Sequence, residues 1–145
     1  RKIMGQQAVG LRHFLGELGA FCAAHAGNAE VGQYVTRVAE VAKEWEALTR
    51  EIGKKAAVNA EEIGAAAVDY LYYSGYVVFA YFMAREAEAV TRANYGGTAE
   101  FKAAKLATVR FYFDRLLPRT LSHAAGVRAG AESLTSAIDA ALAVA

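Results

Sequence analysis

Cys22 and His25 stand three residues apart, a spacing that sets a thiol and an imidazole on one face of a helix, where two ligands could meet a metal ion. A metal centre needs three or four convergent donors, and nothing near in sequence completes this pair. The other histidines are His13 and His123. None of the three follows a Glu by three residues, so the Glu-x-x-His spacing of di-iron bundles is missing. The plainer reading of Cys22 and His25 is a small core thiol beside a histidine near a helix end. A Cys–His nucleophile is disfavoured as well, because neighbours on one helix lack the in-line geometry and no third group orients the base.

The carboxylates say equally little about catalysis. Glu61 and Glu62 fall in a first helical turn, where acids offset the helix dipole. Glu86 and Glu88 point well over 100° apart on a helix and read as solvated surface. Lys102, Lys105, Arg110, Arg115, Arg119 and Arg128 are scattered around their helix, and Arg110 is expected to pair with Asp114 at i, i+4. Gly96-Gly97 lacks the strand, third glycine and lysine of a nucleotide loop. No catalytic, cofactor-binding or metal-ligating residue is therefore assigned.

The stretch that commands attention is chemically mute. Residues 70–84 run fifteen positions without a charge, and seven of them are aromatic. Ile63, Ala67, Tyr70, Ser74, Val77, Tyr81 and Ala84 step by alternating fours and threes, which is a core stripe. The other side is apolar too, with Tyr72, Gly75, Tyr76, Phe79, Phe82 and Met83. A helix apolar all round has more surface to cover than one small bundle supplies. Those six residues are the candidate interface.

These residues sit in a chain that must be mostly helix. It has 145 residues, one proline and abundant alanine, with no sustained strand-like alternation. That is one domain's worth of chain, expected to span 1–145. A net charge of +1 gives no drive toward nucleic acid. One cysteine excludes an internal disulfide framework and fits a reducing cytoplasm. The apolar run is shorter than the ~20 residues that cross a bilayer, and Asp69 and Arg85 bracket it, so no membrane partner is expected. There is no signal-peptide pattern and no methionine at position 1, which reads as a piece of a longer protein.

Four long segments position the aromatic face. The first carries Met4, Ala8, Leu11, Leu15, Leu18, Cys22 and His25, with Gly27 to end it and Asn28 to cap the next. The second carries Val31, Val35, Val38, Ala42, Trp45, Thr49 and Ile52 and fades through Gly53-Lys54-Lys55. Asn59 with Glu62 forms a capping-box-like start to the aromatic helix, which is expected to reach about Asn94. Thr98 caps the fourth, whose Leu106, Val109, Phe113, Leu116 and Thr120 share one side, with a kink expected at 114–118 from Pro118. Gly130 ends it, and Leu134, Ile138 and Leu142 mark a short C-terminal helix. Long helices on short turns predict an all-α, antiparallel up-down-up-down four-helix bundle.

Several segments also carry a resemblance. Ala67-Val68-Asp69-Tyr70-Leu71, Ser74-Gly75, Met83-Ala84, the run Ala104-Lys105-Leu106-Ala107-Thr108-Val109-Arg110-Phe111-Tyr112-Phe113-Asp114-Arg115-Leu116-Leu117-Pro118-Arg119, and Ala129-Gly130-Ala131-Glu132-Ser133-Leu134 are similar to the C-terminal helical domain of large bacterial acyl-CoA dehydrogenases. Relatives include the long-chain fatty-acyl and methylmercaptopropionyl-CoA dehydrogenases. The resemblance implies a parent flavoenzyme whose FAD-bearing core removes the α-hydrogen of an acyl-CoA with a glutamate base and passes the β-hydride to the flavin. No position here corresponds to that glutamate.

The expected role is therefore a non-catalytic accessory and assembly domain, with FAD held by the parent enzyme and none in this fragment. The expected partners are the dehydrogenase core of the parent chain and further copies in a homo-oligomer. The rival is a self-standing bundle holding an apolar ligand among Tyr70, Tyr73, Tyr81 and Phe113. A metal-dependent bundle enzyme is a further rival, already weakened by the missing Glu-x-x-His spacing.

Overall fold

The computed structural model describes residues 8–143, with the side chains of all but 137–140. Met4 and the side chain of Ile138, both expected on apolar stripes, lie outside what is described. The elements are α1 (Val9–His25), α2 (Gly32–Ala56), α3 (Glu61–Thr91), α4 (Ala99–Phe111), a π turn (Tyr112–Leu116), a 3-10 turn (Leu117–Arg119), α5 (Thr120–Ala129) and α6 (Glu132–Leu142).

The local punctuation explains most of the boundaries. The Asn28 side chain accepts the backbone N–H groups of Glu30 and Val31 and so leads the chain into α2. Thr98 accepts the N–H of Phe101 and starts α4. Gly130 closes α5 at φ 77°, a left-handed conformation that costs glycine little. The capping box at α3 is only half formed. Asn59 accepts the Glu61 N–H, but Glu62 reaches away to the Ala131 N–H, because the start of α6 packs beside it. α2 does not fade at Gly53 but runs to Ala56, with Lys54 and Lys55 in its last turn. α3 ends at Thr91 rather than Asn94, since Arg92 turns extended (ψ 140°) while its guanidinium holds both oxygens of Glu88.

Pro118 acts as its missing N–H dictates. The wide turn comes first, with the Leu117 N–H bonded five residues back to Tyr112, and the tight turn follows. The backbone stays right-handed helical throughout, so the fourth segment is reshaped without being ended. Pro118→Ala is accordingly expected to keep the far-ultraviolet circular dichroism of the wild type. A clear loss of helical signal would show that the proline builds the turn rather than being accommodated by it.

Packing is antiparallel between sequence neighbours. Tyr73 reaches Val41 and Tyr70 reaches Thr49 across α2–α3, while Asp69 meets His123 and Glu86 meets Lys105 across α3 and the fourth segment. α2 and the fourth segment run parallel on either side of α3, tied by Arg37–Asp114 at one end and by Arg128 to Glu44 and Glu51 at the other. α1 lies against α2 and α3 through Phe14, whose ring meets Trp45 and Tyr81 edge-on. The α2 stripe packs nearly as its spacing requires: Val31, Val35, Val38, Ala42, Trp45 and Ile52 are buried, joined by Tyr34 and Leu48, while Thr49 is half-buried at the edge.

Candidate interaction surface

α3 is the central element, and its phase differs from the expected one. The buried residues are Ala66, Tyr73, Val77, Ala80, Tyr81, Ala84, Ala87 and Val90. Val77 and Tyr81 are therefore core, but Tyr70 and Ser74 are only half-buried, Ala67 is exposed and Ile63 lies at the edge of exposure. The cause is the absence of any charged residue in 70–84 to set the rotation, so aromatic spacing fits two helix faces equally well. Packing against α2 chooses Tyr73, which is 1% exposed and donates its hydroxyl to the Val41 carbonyl. Tyr70 flanks it and shares a 2.7 Å hydrogen bond with Thr49.

The opposite side of α3 is left uncovered. Tyr72, Phe79 and Phe82 are 55%, 59% and 51% exposed, with Val68 and Leu71 beside them. Between this side of α3 and α4 runs an open groove of about 650 Å³ with almost wholly apolar walls. Five of the six candidate interface residues line it: Tyr72, Gly75, Tyr76, Phe79 and Met83. Phe82 stands on the adjoining ridge against Tyr81. The other wall is Thr108, Phe111, Tyr112 and Leu116, with Leu71 at the α3 edge. Helical spacing does not single out this wall: Thr108 lies 100° from the core position Val109, away from Leu106, and Phe111 a further 60° round, on a side with no stripe of its own.

The groove is held at a fixed width. The Tyr112 hydroxyl donates to the Tyr76 carbonyl at 2.7 Å, and its ring lies against Phe79. At one end the Glu86 carboxylate and Lys105 ammonium meet at 2.6 Å. At the other, the His123 ring stacks on Tyr72 and Tyr76, with centroids 5.2 and 5.7 Å away, while Nδ1 lies 2.8 Å from Asp69. The Asp69 carboxylate fits there because position 126 is glycine, where an added Cβ would lie 2.2 Å from Oδ2. Nothing in the sequence announces this contact, since the two partners are 54 positions apart.

Other expected pairings are corrected by the same geometry. Glu86 and Glu88 are not free surface acids: Glu86 pairs with Lys105 and Glu88 with Arg92, which holds the Glu88 carboxyl below its ordinary range. Asp114 pairs with Arg37 of α2 instead of Arg110, because the wide π turn rotates it toward α2. Arg37 also donates to the Phe113 carbonyl and lies over the Phe113 ring. Lys102 lies over the Tyr95 ring.

The reactive groups are occupied. Cys22 is buried, its thiol faces the Val35 carbonyl at 3.6 Å, and burial pushes its pKa up. His25 packs on Phe21. Asp69–His123 has the acid–histidine half of a hydrolytic triad, but among the described residues no hydroxyl or thiol is hydrogen-bonded to that imidazole. No group of three or more His, Cys, Asp or Glu able to hold a metal occurs among the described residues. None of the described helices is long and apolar enough to cross a membrane. The arrangement offers a shaped apolar surface.

Comparison with known families gives one match, to the family described as acetyl-CoA dehydrogenase C-terminal like, over residues 14–137. No curated protein and no solved structure matches significantly.

Proposed function

We propose, because this chain belongs to the acetyl-CoA dehydrogenase C-terminal-like family, that it is the accessory assembly domain of an FAD-dependent acyl-CoA dehydrogenase and is itself non-catalytic. The parent enzyme oxidises acyl-CoA thioesters across the α,β bond in the cytoplasm. Flavin and catalytic base reside in its dehydrogenase core, and this domain covers that core and steadies the oligomer. The observation that carries the reading is the uncovered apolar side of α3 and its groove, in a chain whose own core is already closed. The polar groups nearest that surface, Asp69, His123, Glu86 and Lys105, are engaged with one another as fixtures.

The purified chain is expected to be colourless and inactive toward acyl-CoAs with an artificial electron acceptor. A stoichiometric flavin spectrum together with turnover would refute the assignment.

One observation favours a second reading, in which the domain holds an apolar ligand. The groove volume falls in the range of small-molecule sites. The site would then be Tyr72, Tyr76 and Phe79 rather than Tyr70, Tyr73, Tyr81 and Phe113, since Tyr73, Tyr81 and Phe113 are packed into the core. Mass spectrometry of organic extracts from the purified chain distinguishes the two.

A further inference from the structure

Resting on the assembly reading above, we propose that the occupant of this surface is a second copy of the same chain, with α3 packed antiparallel on α3 about a two-fold axis. Val68, Tyr72, Gly75, Phe79 and Phe82 step by four, three, four and three along the exposed side of α3. This is the spacing of a seam between two helices, and it runs opposite the buried stripe of Tyr73, Val77 and Ala84.

The seam is self-complementary. An axis level with position 77 sets Phe79 of each copy opposite Gly75 of the other, and Tyr72 opposite Phe82. A large ring then meets the one position without a side chain. Space around Gly75 is open, with nothing within 4 Å of an added Cβ, so no packing inside the chain itself requires glycine there. Mid-helix glycine costs about 1 kcal/mol relative to alanine. Close approach of another backbone offsets that cost.

The seam is uncharged from 70 to 84. Asp69 is already held by His123 and Arg85 lies over the Tyr81 ring, so the antiparallel direction rests on the fit of Phe79 to Gly75 and not on charge.

The area is sufficient. Full cover of one aromatic ring removes about 150–250 Å² from water, and Tyr72, Phe79 and Phe82 are each more than half exposed. With Phe111, these rings leave about 330–560 Å² per copy to be covered, and Val68 and Leu71 add to it. Two copies together reach the ~1,000 Å² that separates specific interfaces from incidental ones.

Sedimentation analysis of the 145-residue chain tests the proposal. The wild type is expected to be a dimer at micromolar concentration, and Phe79→Arg a monomer with an unchanged helical spectrum. Phe79 is exposed, so that variant does not threaten the fold. Gly75→Leu, which fills the position that Phe79 of the other copy occupies, is expected to weaken the dimer with an unchanged helical spectrum. A monomeric wild type, a Phe79→Arg variant that still dimerises, or a Gly75→Leu variant that dimerises as tightly as the wild type overturns the antiparallel seam. The assembly reading is tested apart from it. A monomer that binds a separately produced dehydrogenase core, and loses that binding with Phe79→Arg, leaves the assembly role standing while the self-pairing falls.

Discussion

Phe113→Ala is expected to lower the stability of the fold by about 3–5 kcal/mol and the thermal midpoint by roughly 10–20 °C for a chain of this size. The ring is fully buried where the π turn packs on α2. It packs against Tyr34 at 4.8 Å and edge-on to Tyr112, and the Arg37 guanidinium lies over it. Removing it leaves a cavity between the π turn and α2. Arg37 loses its ring partner too, and keeps only Asp114 and the backbone carbonyl of residue 113 as ties to the fourth segment. Thermal melts followed by circular dichroism measure the effect. Val58→Ala is the control, since Val58 is 92% exposed and its change should stay within about 0.5 kcal/mol. A Phe113→Ala loss below about 1 kcal/mol would mean that the junction repacks.

Alkaline pH should unfold the protein through two tyrosines. Burial pushes the Tyr73 hydroxyl well above the ordinary tyrosine range, with the Glu44 charge adding to it and Arg128 opposing. Burial does the same for Tyr112, helped by Tyr76. A folded pKa above the unfolded one gives stability that is complete below the unfolded value, near 10, and is lost as pH rises toward the folded value. Each group kept neutral then costs the native state about 1.4 kcal/mol per pH unit above 10, so the pair removes roughly 3 kcal/mol within the first full unit. Denaturant midpoints from pH 8 to 12 should fall steeply on the alkaline side. Tyr73→Phe with Tyr112→Phe should flatten that limb while costing about 1 kcal/mol each at neutral pH. That neutral-pH loss stays small because Val41 and Tyr76, whose carbonyls accept these hydroxyls, lie within helices. An alkaline limb unchanged in the double variant would assign the loss to other groups.

Much of this architecture is legible along the chain because it depends on neighbours a few residues apart. Asn28, Thr98 and Gly130 mark helix boundaries through short-range hydrogen bonds or one backbone angle, so residue type suffices. The α2 stripe can be read because polar residues between its apolar ones leave one possible face. Pro118 reshapes its helix through a donor it lacks wherever it is placed. The uncovered side of α3 follows from composition, since an all-apolar helix has more surface than its neighbours can hide.

What needed three dimensions is everything that depends on rotation and on distant partners. The choice of Tyr73 over Tyr70 for the core was undetermined along the chain, because no charge between 70 and 84 set the phase of α3. Asp114 left Arg110 for Arg37 when one wide turn shifted its direction, an effect that no i, i+4 rule contains. The second wall of the groove and its Asp69–His123 end arise where α3 and the fourth segment run side by side. Helical periodicity specifies which residues share a face. Which face meets which is decided by the summed packing of all the helices at once, and that sum is not carried by any local stretch.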